Sequence, residues 1–479
     1  MLYKKIKIVL PLVFLFFIFL DTTTLANEFA QVGTDTMAIV SGHENVSLSL
    51  PSTYMVIPFV LLLLMIATGP LFFRHFWEHH YPKIAIALGL ITVLYYLFFL
   101  RDTHSLLHTL IEYLSFIALL SSLFVASGGI LIKVDRKSTP LVNVIMLLFG
   151  AVIANVIGTT GASMLLIRPF IKLNQDRVKP YHIIFFIFIV SNVGGALTPI
   201  GDPPLFLGFL KGIEFFWVFE HVWYIWLPTI AFILGIFYLI DSRNKSTADD
   251  QKLYTNKIEF KGFRNVIYLI IIVISVFIDP NVMSWVPDLY PLPVGLREII
   301  MFSMVYISFK TADKEVLKAN EFDFEPIKEV AFLFVGIFAT MIPALQLIAY
   351  EAKLNGKALT PGVFYWATGV LSAFLDNAPT YLNFLSAEMG KFDLDMNNKL
   401  EVLKFEIEHP TYLTAISVAA VFFGAMTYIG NGPNFMVKSI SERAGIKMPS
   451  FFGFLFKYAV PVLLPLFFLV WLIFFYGEV

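Results

Sequence analysis

The chain of 479 residues is 58% apolar and only 14% charged, with a formal net charge of −1 and a mean hydropathy of +0.77. About 25% of the residues in a soluble globular protein are charged, so the composition excludes that class and indicates a polytopic membrane protein. The sequence has no cysteine, which excludes disulfides, thiolate metal sites and thiol nucleophiles, and it lacks the Walker A pattern that direct use of ATP would require.

The first 26 residues have the pattern of a secretory signal peptide. Lys4, Lys5 and Lys7 precede an apolar run over residues 8–20, and small residues then lead to Ala26. A first transmembrane helix is the alternative, but this run is shorter than the roughly 20 residues that a span requires. Residues 27–53 are predicted to form a polar external segment, and residues 54–479 to form the membrane domain.

The apolar runs predict an all-α polytopic membrane protein with about ten spans. They lie near residues 54–73, 84–100, 107–132, 182–210, 215–240, 264–279, 296–309, 329–350, 411–438 and 451–476. Two further apolar segments, 139–170 and 361–389, are interrupted by polar and turn-forming residues, and each is predicted to be a re-entrant hairpin. A single kinked span is the alternative, and it would reverse the sidedness of everything that follows. The hairpin interpretation places most basic segments inside, including a predicted cytoplasmic loop at 74–83.

Two of the predicted spans break at matching sequences. ALTPIGDPPLF at residues 196–206 is echoed by AMTYIGNGPNF at residues 425–435. Proline and glycine both disfavour helix, and unwound backbone inside a membrane is tolerated only where protein or a watery cavity satisfies it. A pair of interrupted spans at corresponding positions points to the binding site of a secondary transporter.

The order of these elements predicts an inverted-topology repeat. Repeat one covers about 84–240 and repeat two about 296–476, and the single span at 264–279 reverses the orientation between them. The polar centres of the two hairpins correspond as well, with Asn155 in the first and Asn377 in the second.

Asp202 and Asp376 are the acids predicted to lie deepest in the membrane. A carboxylate there is costly unless it is paired, hydrated or protonated, so intramembrane acids point to function; a helix-capping role is the alternative. The hard oxygen donors near the four breaks suit Na⁺ or Li⁺, although helix–helix hydrogen bonding is the ordinary use of such residues. These donors are Asn155, Thr159, Thr160, Asn192, Thr198, Asn377, Thr380, Thr427, Asn431 and Asn434.

At residues 154–161, 192–204, 376–380 and 427–434 the sequence resembles the NhaD-type sodium/proton antiporters. These belong to the ion transporter superfamily, which also includes citrate, dicarboxylate and arsenite carriers. The resemblance extends from about residue 54 onward. It implies a scaffold and a transport domain, a homodimer, an elevator-like motion, and ion binding at Asp202, Asp376 and Asn377. Better-known members have an aspartate where this chain has Ala154, so their Na⁺:H⁺ ratio does not carry over.

The main hypothesis is a secondary active antiporter, not an enzyme, that exchanges Na⁺ or Li⁺ for H⁺ across a bacterial inner membrane. Sodium is the predicted metal, bound at the same site as the proton. The predicted partners are membrane lipid, the transported cations and protons, and a second copy of the chain; no cofactor, nucleic acid or ATP is predicted.

Three alternatives remain at this point. A Na⁺-coupled di- or tricarboxylate symporter has the same fold, but two acids at the site would repel its substrate. Its hairpin tips are also typically Ser-Asn-Thr, whereas the tips here are Ala-Asn-Val and Asp-Asn-Ala. An arsenite carrier is disfavoured because the chain has no thiol. A membrane scaffold without transport would leave the intramembrane acids unexplained.

Overall fold

The computed structural model describes residues 50–244, 257–280, 283, 285–287, 289 and 292–477. The predicted signal peptide and most of the predicted external segment lie outside the described residues. In chain order the helices are α1 (Ile57–Phe72), α2 (Arg74–Tyr95), α3 (Thr103–Gly128), α4 (Pro140–Leu173), α5 (Pro180–Ile189), α6 (Pro203–Lys211), α7 (Trp217–Asp241), α8 (Phe263–Ser275), α9 (Leu296–Thr311), α10 (Lys314–Ala319), α11 (Glu325–Asn355), α12 (Pro361–Phe374), α13 (Asn377–Lys391), α14 (Lys399–Glu408), α15 (Pro410–Phe423), α16 (Gly432–Arg443), α17 (Phe451–Phe454) and α18 (Val460–Phe474).

The prediction of an all-α polytopic membrane protein is confirmed. Within the described residues, 7 helices are long and apolar enough to cross a membrane, or 8 if the bent pair Lys399–Glu408 and Pro410–Met426 counts as one span. Other predicted spans are shorter helices, among them α5, α8 and α9. The 13 residues of α8 rise by only about 20 Å, less than the roughly 30 Å of a bilayer core.

Both predicted hairpins begin with a threonine N-cap followed by a proline. The Thr139 hydroxyl accepts a hydrogen bond from the Val142 amide at the start of α4, and the Thr360 hydroxyl accepts one from Val363 at the start of α12. A proline follows each threonine, at the first helical position where its missing N–H costs nothing. The first hairpin turns inside α4 at Gly158, where φ is 77° and ψ is 153°. The second turns between α12 and α13.

The two predicted broken spans also share one construction. After α5 the chain forms a short 3₁₀ helix at Val193–Gly195 and then enters α6; after α15 it forms one at Gly424–Met426 and then enters α16. A Cβ atom added to Gly201 would lie 2.1 Å from the Gly195 carbonyl oxygen, and one added to Gly430 would lie 2.7 Å from that of Gly424. Glycine is required here because the two sides of each break are in backbone contact. The division of the whole chain into two repeats stays a prediction.

These broken spans occupy the centre of the fold. Every residue of α5 from His182 to Ile189 is buried, and so is every residue of α15 from Tyr412 to Phe423. By contrast, α1, α2 and α7 expose many large apolar side chains, as expected for helices that face lipid. The helix breaks therefore lie inside protein, where neighbouring groups satisfy their unwound backbone.

Two sequence expectations are wrong in detail. Residues 74–83, predicted to be a cytoplasmic loop, are helical in α2, and this helix continues to Leu100 through a π-helical turn. The predicted span at 107–132 ends at Gly128, and the chain then forms strand β1 (Leu131–Val134), which pairs antiparallel with β2 (Ile258–Lys261). Next to this pair, Gly262, with φ of 95°, lies directly against the Gly129 backbone. The strand pairing is a long-range contact that local periodicity does not reveal.

Candidate ion-binding site

The Asp202 side chain is the centre of the site. It is 1% exposed and precedes the first residue of α6. Its Oδ1 accepts hydrogen bonds from the Thr159 hydroxyl at 2.7 Å and from the Asn431 amide at 2.9 Å. Its Oδ2 accepts one from the Asn377 amide at 2.5 Å. The carboxylate therefore has three neutral donors, which hold it in one orientation.

These contacts bring together the starts of four helical segments. Thr159 directly follows the break at Gly158, Asn377 is the first residue of α13, and Asn431 is the N-cap of α16, just as Asp202 is of α6. Each helix N-terminus carries a partial positive charge of about half an elementary charge. Their convergence partly offsets the cost of burying an ionised carboxylate.

One acceptor beside this carboxylate has no donor. The Oδ1 atom of Asn377 is buried and has no hydrogen-bond partner in the described structure. Among the described residues, neither Asp202 nor Asp376 forms an ion pair with lysine, arginine or histidine. The same residues contain no group of three or more His, Cys, Asp or Glu side chains that could hold a metal ion. The available ligands are thus carboxylate, amide and hydroxyl oxygens, a donor set suited to a hard cation.

Asp376 lies next to this centre but is not part of its hydrogen-bond network. It is half-buried and is the N-cap of α13, and its Oδ1 accepts a hydrogen bond of 3.1 Å from the Ala378 amide. It lies within electrostatic range of Asp202. Thr380 donates to the backbone carbonyl of Asp376 at 2.9 Å, so its hydroxyl supports the helix start.

A chain of amides joins the two broken spans behind Asp202. The Asn192 amide donates to Asn434 Oδ1 at 2.7 Å, and its Oδ1 accepts a hydrogen bond of 3.2 Å from Asn431. Asn434 in turn donates to the carbonyls of Gly424 and Thr427, both at 2.8 Å. These side chains fix the position of Asn431 and hence of the Asp202 carboxylate.

Other predicted ligands are used to hold the backbone at the breaks. Asn155 donates to the Gly194 carbonyl at 2.7 Å and accepts from the Leu197 amide at 2.8 Å. The Thr198 hydroxyl donates to the Asn155 carbonyl at 2.6 Å, and the Thr427 hydroxyl donates to the Ala373 carbonyl at 2.5 Å. Thr160 is half-buried and makes no hydrogen bond to Asp202.

Several buried ionisable side chains are absent from the sequence-based set, among them Glu388 and the pair of Glu112 and Lys211. Glu388 on α13 is 0% exposed, and its spacing from Asn377 places both on one face of the helix, a signal that the sequence does contain. Glu112 on α3 forms a buried ion pair of 2.7 Å with Lys211 at the end of α6. Nothing in the sequence indicates this ion pair, because it depends on how α3 and α6 pack.

Comparison with known proteins agrees with a transport role. Residues 47–475 match the family model described as "Putative citrate transport". Uncharacterized transporter Rv2685 of Mycobacterium tuberculosis is 25% identical over 339 residues, which cover 68% of this chain and 74% of that protein. Uncharacterized transporter Mb2703 of Mycobacterium bovis is 25% identical over 335 residues, with the same shares covered. Since the family model covers most of the sequence, the chain belongs to this citrate-transport family of membrane transporters.

Proposed function

We propose that this chain is a secondary active antiporter that exchanges Na⁺, or Li⁺, for H⁺. The observation that carries the proposal is the buried Asp202 carboxylate, which has amide and hydroxyl neighbours, an unpartnered Asn377 oxygen beside it, and no cationic side chain paired with it in the described structure. A carboxylate in such a place needs a positive charge that the protein itself does not provide.

Competition between sodium and the proton for the Asp202 carboxylate would couple the movement of one to the movement of the other. A sodium ion would take Asp202 and the Asn377 Oδ1 oxygen as ligands, with Asp376 adding negative potential nearby. A proton on Asp202 neutralises the same charge and removes the attraction for sodium. Because sodium and the proton neutralise the same group, loading one from one side of the membrane favours release of the other.

A Na⁺-coupled carboxylate symporter is the second candidate. The description of the family favours it, and so does the convergence of helix N-termini, which is a common way to bind anions. Against it, Asp202 already occupies the point where these helix ends meet, and Asp376 adds a second negative charge. A citrate would be repelled by both acids, and neither acid is paired with a basic side chain in the described residues.

The deciding experiment uses purified protein in proteoliposomes with a pre-formed pH gradient. Addition of NaCl or LiCl should collapse the gradient with the wild type and not with Asp202→Asn, which cannot hold a displaceable proton. Asp393→Asn is the matched control, because Asp393 is an exposed residue with a left-handed backbone that asparagine also adopts.

Two outcomes would contradict the proposal. Full exchange by the Asp202→Asn variant would remove Asp202 from the mechanism. A wild type that ignores Na⁺, Li⁺ and K⁺ while accumulating labelled citrate or succinate in a sodium gradient would identify a carboxylate symporter instead.

A further inference from the structure

Glu388 is a buried acid that the proposed exchange at Asp202 does not use. Its side chain is 0% exposed, and both carboxyl oxygens lack a hydrogen-bond partner among the described residues. Lys391 is the cation within electrostatic range of it. The Lys391 ammonium, however, donates to the Leu359 carbonyl at 2.7 Å and to the Tyr412 hydroxyl, so it is engaged on another side of the helix.

An ionised carboxylate without donors or a paired cation is very costly in a buried position. A neutral carboxylic acid at the same place costs much less, since it retains only the polarity of a carbonyl and a hydroxyl. The surroundings of Glu388 therefore favour the protonated side chain in this conformation.

Its position relates it to the ion site. Glu388 follows Asn377 by three helical turns on the same face of α13, a rise of about 16 Å. Tyr381 lies on that face between them and within electrostatic range of Glu388. The Tyr381 hydroxyl packs closely against Gly208 of α6. One face of α13 thus carries both Asn377, which contacts Asp202, and the buried acid Glu388.

The charged neighbours of Glu388 identified in the described structure lie on its own helix. Tyr381 and Lys391, both on α13, are within electrostatic range of this carboxyl. Helices α6, α11, α12 and α15 pack against α13. Movement of the hairpin against these neighbours would change the environment of Glu388 by admitting water.

We propose that Glu388 is a second proton-binding site, which holds a proton in this conformation and releases it to water when the hairpin moves. When the hairpin exposes Glu388 to water on one side of the membrane, the O–H bond of the carboxylic acid breaks and the proton passes to that solution. The carboxylate then takes up a proton from the solution on the other side before it is buried again, so one proton crosses the membrane per cycle. This assignment rests on the proposed antiport, and it adds one proton per cycle to those exchanged at the Asp202 site.

The test is the Na⁺:H⁺ ratio, measured from the reversal potential in proteoliposomes with known ion gradients. Glu388→Gln keeps the size and neutrality of the protonated side chain but cannot release a proton. We expect this variant to move one proton fewer per sodium ion than the wild type, while Glu408→Gln, an exposed acid on α14, keeps the wild-type ratio. A purely structural role for Glu388 would change the rate and leave the ratio unchanged, and an unchanged ratio overturns the assignment.

A second measurement tests the same assignment without transport, in case Glu388→Gln abolishes exchange. Protons released on NaCl addition are counted with a pH-sensitive dye in weakly buffered detergent solution, for the wild type, Glu388→Gln and Glu388→Met. One proton fewer in both variants supports the assignment, and equal release overturns it. A wild type that moves no protons in response to sodium in liposomes would overturn the proposed antiport as well, whereas an unchanged ratio in Glu388→Gln overturns the Glu388 assignment alone.

Discussion

The amide nitrogen of Asn377 lies 2.5 Å from the Asp202 carboxylate, although 175 residues separate them in the sequence. This contact joins the start of α13 to the start of α6, so the tip of the second hairpin and the first broken span contribute to one site. The Oδ1 atom of Asn377 lies beside the same carboxylate and has no hydrogen-bond partner among the residues that the structure describes.

Replacement of Asn377 by alanine should weaken sodium binding more than it slows the cycle. The variant loses both a donor to Asp202 and a candidate sodium ligand, and a hydrogen bond to a charged group is worth about 1.5–3 kcal/mol. We expect the sodium concentration for half-maximal exchange to rise by about tenfold or more. Asn355→Ala, at the exposed end of α11, is the matched control. An unchanged half-maximal concentration would exclude Asn377 as a ligand.

The glycine at the first helix break should not tolerate a side chain. In Gly201→Ala the new Cβ would lie 2.1 Å from the Gly195 carbonyl oxygen, so the backbone on both sides of the break must move. We expect loss of exchange and a lower melting temperature in detergent. Gly235→Ala is the control, because nothing lies within 4 Å of its added Cβ and alanine favours helix by roughly 0.5–1 kcal/mol. Wild-type exchange by Gly201→Ala would show that the break is not held at this contact.

The buried pair of Glu112 and Lys211 should couple strongly in a double-mutant cycle. The Lys211 Nζ atom lies 2.7 Å from Glu112 Oε1, and both side chains are almost fully buried. Lys211 Nζ also donates a hydrogen bond of 2.8 Å to Asn397 Oδ1. Removal of Glu112 leaves the buried Lys211 charge uncompensated, at a cost of about 3–5 kcal/mol, whereas removal of Lys211 leaves Glu112 with the His108 imidazole at 3.3 Å. We expect Glu112→Gln or Lys211→Met alone to lower the melting temperature more than the double variant does. Additive effects would show that the two charges do not depend on each other.

Asp241 should be a major determinant of stability at the end of α7. It is 0% exposed, and its carboxylate contacts Arg177 at 2.7 Å, Tyr181 at 2.6 Å and Asn143 at 3.0 Å. Asp241→Asn would leave the buried guanidinium of Arg177 without its counterion, so we expect a loss of about 3–5 kcal/mol in unfolding free energy.

The control for Asp241 is Glu259→Gln, which removes the exposed ion pair with Lys133. We expect a change there within about 1 kcal/mol, as for other surface pairs. Equal effects of the two substitutions on denaturant-induced unfolding would contradict the importance assigned to the buried cluster.

The helix breaks were predictable from sequence because their causes are local. Proline and glycine destabilise the helical turn in which they lie, whatever the rest of the fold. The interruptions at residues 196–206 and 425–435 therefore identify both broken spans without knowledge of the tertiary structure. The Thr-Pro starts of the hairpins are equally local. Strand β1 was not predictable, because a segment more than a hundred residues away forms it.

The use of each polar side chain was less predictable. Asn155 precedes the turn of the first hairpin and donates its amide to the Gly194 carbonyl, whereas Asn377 follows the turn of the second hairpin and donates to Asp202. In the first hairpin the residue that follows the turn and donates to Asp202 is Thr159. An asparagine can satisfy a broken backbone or a carboxylate equally well. Which partner it takes depends on how the hairpin tips pack, and sequence alone does not contain that information.

Asp202 and Asn431 occupy the same position in the two echoed segments and touch each other at 2.9 Å. Two carboxylates at that distance would have to share a proton, and two amides would provide no charge at all. One acid and one amide give a single negative charge that is already hydrogen-bonded by its counterpart. In a chain that contains this segment twice, the difference between the copies at the point where they meet therefore leaves one negative charge there, without a second acid that would have to be kept protonated.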